Sequence, residues 1–139
     1  MSVKSRWMSL LLGLVMSLSV QASTGHAYSA EAGLARIDRR NADFDTPLAV
    51  VGPVPAANAR ITQVSYRWRY DNPPAGLSML LCQQRGRCTD VTDANERLTV
   101  AFVGANPAQP FYFRARVAGQ GAMAPVLGYT AQIVVNWIE

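Results

Sequence analysis

Residues 60–70 alternate with a period of two, and this feature restricts the fold more than any other. Thr62, Val64, Tyr66, Trp68 and Tyr70 fall on one side; Ile61, Gln63, Ser65, Arg67 and Arg69 fall on the other. β-Branched and aromatic residues at that period predict a half-buried strand, because successive strand side chains point to opposite faces. Residues 111–117 repeat the pattern, with Phe111, Phe113, Ala115 and Val117 set against Tyr112, Arg114 and Arg116. Residues 131–138 repeat it again, with Ile133, Val135 and Trp137 on one face.

Shorter strands are expected over 31–37, 77–82, 88–91, 98–103 and 126–129. Segment 44–59 holds Pro47, Pro53 and Pro55, which confine it to edges and loops. Residues 23–30 are small and polar and read as a flexible start. Turn-forming clusters at 71–76, 104–110 and 119–121 punctuate the chain. No segment after the first 22 residues shows a helical period, and no internal repeat is visible. The expected fold is all-β: a small antiparallel sandwich, Ig-like or barrel-like, of about seven or eight strands.

The first 22 residues read as a signal peptide. Lys4 and Arg6 precede an apolar run from Trp7 to Val20, and Val20-Gln21-Ala22 approaches the small-x-small cleavage pattern. A second candidate site ends at Ala27. The apolar run is short for a bilayer span, which needs ~20 residues, and no basic stop-transfer cluster follows it. Residues 1–22 are therefore expected to be removed, leaving one periplasmic β domain, 23–139, with no membrane span.

Charge must then be judged without the leader. The whole chain has 13 basic residues against 9 acids. Lys4 is its only lysine, so arginine alone supplies the strong positive charge of the exported domain. The remaining excess is small and gives no reason to expect nucleic acid.

Cys82 and Cys88 are the only cysteines. An even count in an exported chain reads as a disulfide. The C-x5-C spacing is not the C-x-x-C of a redox enzyme, and two sulfurs with one distant histidine make no zinc site. Gln84-Arg85-Gly86 fits a three-residue hairpin loop with Gly86 at positive φ. Cys82 and Cys88 then face each other across the ladder at ~4.5–5.5 Å between Cα atoms, within disulfide reach. The hairpin tip carries Arg85 and Arg87.

No catalytic constellation emerges. His26 is the only histidine and lies near the processed start, so a nucleophile in the β body has no positioned base. Asp71, Asp90, Asp93 and Glu96 sit in turns or at strand ends; a small hydrolase would have to use a pair of them. Tyr66, Trp68 and Tyr70, with Trp137, offer the alternative of an envelope carbohydrate or peptidoglycan module, provided the rings are exposed. The arginine pairs Arg67/Arg69 and Arg114/Arg116, together with Arg85 and Arg87, are the candidate binding residues for an acidic protein surface. No cofactor or metal is expected.

One family resemblance runs through the second half. Trp68-Arg69-Tyr70, Pro74-Ala75-Gly76-Leu77, Leu81-Cys82 with Cys88, Thr99-Val100-Ala101-Phe102-Val103-Gly104 and Ala108-Gln109-Pro110 occur in order. Val117-Ala118-Gly119-Gln120-Gly121, Pro125-Val126-Leu127 and Ile133-Val134-Val135-Asn136 follow. This ordered set, within 66–138, resembles the flagellar FlhE family. The resemblance implies a periplasmic accessory protein of flagellar assembly, non-enzymatic and without a cofactor. It further implies contact with flagellar rod, basal-body or export-gate proteins, and either a limit on proton leakage through the export apparatus or chaperoning of rod components.

Overall fold

The computed structural model describes residues 25–139. The expected signal peptide and its Ala22 cleavage site lie outside the described residues. Eight strands follow in order: β1 (His26–Gly33), β2 (Phe44–Leu48), β3 (Arg60–Arg67), β4 (Leu77–Gln83), β5 (Cys88–Asp90), β6 (Glu96–Thr99), β7 (Phe111–Val117) and β8 (Thr130–Ile138). They form two four-stranded sheets, β1-β8-β3-β6 and β2-β7-β4-β5, paired antiparallel throughout. The chain is thus a sandwich and not a closed barrel.

The alternating segments are the interior strands, since only a strand flanked on both sides buries its inner face completely. Ala131, Ile133, Val135 and Trp137 of β8 meet Phe111, Phe113, Ala115 and Val117 of β7 in one continuous core. Val64 and Tyr66 of β3, with Met79 and Leu81 of β4, extend it. Pro47 lies on β2, at a sheet edge, as its missing donor requires.

Several local expectations are corrected. Thr62 is exposed and Ile61 buried, because a register shift between Ile61 and Gln63 turns the strand by one residue. From His26 on the start is a strand, and the first strand lies earlier than the expected 31–37: β1 runs from His26 to Gly33, and its Tyr28 and Ala30 enter the core. The expected strand 98–103 moves toward the N-terminus, ending at Thr99. Backbone bonds from Val103 to Val100 and from Ala105 to Phe102 then fold the following residues into turns. At the hairpin, Gly86 N–H donates to Gln83 O at 3.0 Å, and Arg85, not Gly86, takes the left-handed conformation with φ 55°.

Segment 126–129 forms only isolated bridges, Ile37 with Val126 and Tyr70 with Gly128. It wedges between residues 34–37 and 69–71, tied by Leu34 N–H to Tyr129 O and Asp71 N–H to Leu127 O. A Cβ at Gly128 would collide with Leu34 and crowd Tyr70, so only glycine fits this approach. Cys82 and Cys88 are bonded and directly paired, as the hairpin register requires.

Candidate functional site

The six candidate arginines lie in three places. Arg67 is on the outer side of β3, opposite Glu96 on β6 and Gln132 on β8. Arg69 follows β3, its guanidinium 4.6 Å from the centre of the Tyr129 ring. Arg67 and Glu96 line a shallow cleft of about 290 Å³ with Leu98, Gln132 and Val134. Neither Arg67 nor Arg69 joins an ion pair among the described residues.

Arg114 and Arg116 belong to the opposite sheet, on the outer side of β7. There they are already neutralised. Arg114 grips Asp45 with two bonds, Nε to Oδ1 at 2.8 Å and Nη2 to Oδ2 at 3.0 Å. Arg116 Nη1 donates to Asp43 Oδ1 at 3.2 Å. The Asp45 hydrogen bond raises the Arg114 pKa further above its already high ordinary value. Arg85 projects from the hairpin turn, while Arg87 Nη1 donates to Ala101 O at 2.9 Å. The β3 and β7 pairs therefore do not share a surface; Arg67 and Arg69, like Arg85 and Arg87, have no carboxylate in an ion pair among the described residues, whereas Arg114 and Arg116 do.

Asp43 and Asp45 were missed as partners because they stand about seventy residues away in sequence. A signal existed: their i, i+2 spacing matches that of Arg114 and Arg116, as two strands in register require. Gln83 was missed too. It is buried, and its Nε2 donates to Asn106 O at 2.7 Å and Gln109 O at 3.2 Å, pinning the loop before β7.

The aromatic residues are core. Trp68 is 6% and Trp137 7% exposed, with Tyr66 and Tyr70 similarly covered. Trp68 Nε1 donates to Val91 O at 3.1 Å, and Tyr70 donates to Ala35 O at 2.8 Å. Trp137 is stacked under His26, ring centres 5.5 Å apart. A sugar shelf needs open ring faces, so the carbohydrate-module reading is overturned.

Of the candidate carboxylates, Asp90 serves a local end. Asp90 Oδ1 accepts from Thr92 N–H at 2.9 Å, and hydrogen bonds from the Thr92 side chain and backbone hold the Asp90 carboxyl below its usual range. Among the described residues no three His, Cys, Asp or Glu side chains gather as a metal site would require. No described helix is long and apolar enough to cross a membrane.

Buried rings and arginines displayed on the outer sheet faces define an antiparallel β-sandwich protein with a charged outer surface. Comparison with known proteins narrows this class. The family model of flagellar protein FlhE matches residues 36–138. The flagellar protein FlhE of Escherichia coli K12 is 31% identical over 132 residues, covering 93% of this chain and 98% of that protein. A crystal structure of FlhE superposes with a TM-score of 0.74 at 25% identity, covering 83% of this chain and 98% of that one. The chain belongs to the FlhE family of flagellar proteins. It is an accessory protein of the flagellum.

Proposed function

We propose that the chain is exported to the periplasm and there contacts rod, basal-body or export-gate components of the flagellum, limiting proton leakage through the export apparatus or chaperoning rod components. The observation that carries this reading is the family match across 36–138. The β3 arginines supply its contact surface: Arg67 and Arg69 keep their charge available, whereas Arg114 and Arg116 spend theirs on Asp43 and Asp45. Arginine beside exposed Tyr129 and Leu98 has the composition of a protein-binding patch.

Processing at Ala22 fits this reading better than processing at Ala27. His26 and Ala27 open β1, paired with Trp137 and Asn136. Cleavage after Ala27 would strip both and uncover the Trp137 indole. Intact-mass analysis of the exported chain should find an N-terminus at Ser23.

The function is tested in flagellated cells by crosslinking from positions 67 and 69. Rod, basal-body or export-gate proteins should be recovered. Arg67→Glu with Arg69→Glu should reduce recovery and acidify the cytoplasm, and Arg114→Glu with Arg116→Glu should do so far less. Recovery of no flagellar component, with an unchanged cytoplasmic pH in cells lacking the chain, would overturn the proposal.

A further inference from the structure

An edge strand exposes unpaired N–H and C=O groups, and folded proteins guard such edges with proline, charge, a bulge or brevity. Three of the edges here are guarded. β2 carries Pro47; β5 has three residues and β6 four. β1 runs for eight residues, pairs only with β8, and has no proline or register shift. Glu31 is its only carboxylate.

Ladder parity identifies the free groups. Leu34 N–H donates to Tyr129 O at 3.1 Å, one residue beyond the β1–β8 register. Hydrogen-bonded and non-hydrogen-bonded pairs alternate along an antiparallel ladder. The even-numbered residues of β1 therefore bond to β8, and Ala27, Ser29, Glu31 and Gly33 direct their backbone groups outward. All four are exposed. Those outward groups have no strand or loop partner among the described residues.

We propose that this edge pairs antiparallel with β1 of a second copy, about a two-fold axis through Ala30. Ser29 then lies opposite the partner's Glu31, Ala27 opposite the partner's Gly33, and the reverse pairs follow by symmetry. Each is a hydrogen-bonding pair, so the outward donors and acceptors satisfy one another. The side chains agree with this register. Gln132 Nε2 donates to Ser29 Oγ at 3.0 Å, which leaves the Ser29 hydroxyl proton free to donate to the partner's Glu31. No like charges are opposed, and alanine and glycine obstruct nothing.

The occupant is a second copy because in this register the edge satisfies its own outward donors and acceptors, with the Ser29 hydroxyl facing the partner's Glu31 carboxylate. Capture of an unrelated peptide draws its selectivity from pockets for alternate side chains; the cavity at this edge lies at its end, beside His26 and Ala27 and against Val51 to Pro55, away from Ser29 and Glu31 at its centre. The product is one sheet continuous across both copies, with an isologous contact. The inference is independent of the flagellar reading above.

Sedimentation of the processed chain should show a reversible dimer at micromolar to about 100 µM concentration. Ser29→Glu puts a carboxylate opposite the partner's Glu31 at two symmetric positions and should weaken the dimer roughly tenfold or more. Ser29→Arg should strengthen it. Ser29→Pro removes an outward N–H, leaves the β1–β8 ladder whole and should give a monomer with an unchanged far-UV circular dichroism spectrum. If Ser29→Pro does not fold, the two charge variants decide. A monomer at every concentration, equal dimer affinity in Ser29→Glu and Ser29→Arg, or peptide capture by a chain that never dimerises would each overturn the proposal.

Discussion

Phe102→Ala separates two readings of one short segment. A strand over 98–103 places Leu98, Val100 and Phe102 on one face, with comparable burial. The structure instead leaves Leu98 55% and Val100 71% exposed while Phe102 is 0% exposed. Phe102 enters the core from a turn, edge-on to Phe111, with ring centres 4.9 Å apart and planes at 82°. Truncating a fully buried phenylalanine costs about 3–5 kcal/mol in lost transfer energy and residual cavity. The lost ring–ring geometry accounts for about 0.5–1.5 kcal/mol of aromatic interaction beyond burial. Urea unfolding of a domain this size has a slope of about 1–3 kcal/mol per M. The midpoint should therefore fall by roughly 2 M, with a Tm loss of roughly 10–20 °C. Val100→Ala should stay within about 0.5 kcal/mol of the parent. A Phe102→Ala loss under about 1 kcal/mol, or a Val100→Ala loss matching it, would refute the reasoning.

Replacing both cysteines with alanine should cost about 2 kcal/mol, since the closed loop is short; calorimetry checks this, and a thiol assay on the exported chain should find no free sulfhydryl before reduction. Burial pushes the Tyr28 and Tyr70 phenols up from the ordinary 10.0 to about 12. Their preference for the neutral form is fully present below pH 10.0 and lost as pH rises through about 12, so alkaline melts should show stability falling across that window, less steeply in Tyr70→Phe. Asp45→Asn should cost under about 1 kcal/mol and less in high salt, because the pair with Arg114 is partly exposed; double-mutant denaturation measures it. Gln83→Leu should destabilise by about 1–3 kcal/mol, because two loop carbonyls lose their donor, and hydrogen exchange should rise across residues 104–110.

The interior strands were legible because their alternation is a local property. In β7 and β8 each inward residue of the sequence pattern is an inward residue of the sandwich. The hairpin disulfide was legible for the same reason: six positions separate its cysteines, and strand geometry alone brings them together. The candidate site was legible only as residue types. Arg67/Arg69 and Arg114/Arg116 have the same spacing, and nothing local says that one pair lacks a carboxylate partner while the other is clamped by β2.

Chemistry within a few residues of itself was thus determined by the sequence: two-sided strands and a stapled hairpin. Tertiary structure decided what depends on distant segments meeting. It chose two open sheets over a barrel and turned Phe102 inward. It also paired Asp43 and Asp45 with β7 and left the outer edge of β1 without a partner among the described residues. The reason is physical: burial and ion pairing are properties of neighbours in space, and strand order selects those neighbours from segments as much as a hundred residues apart.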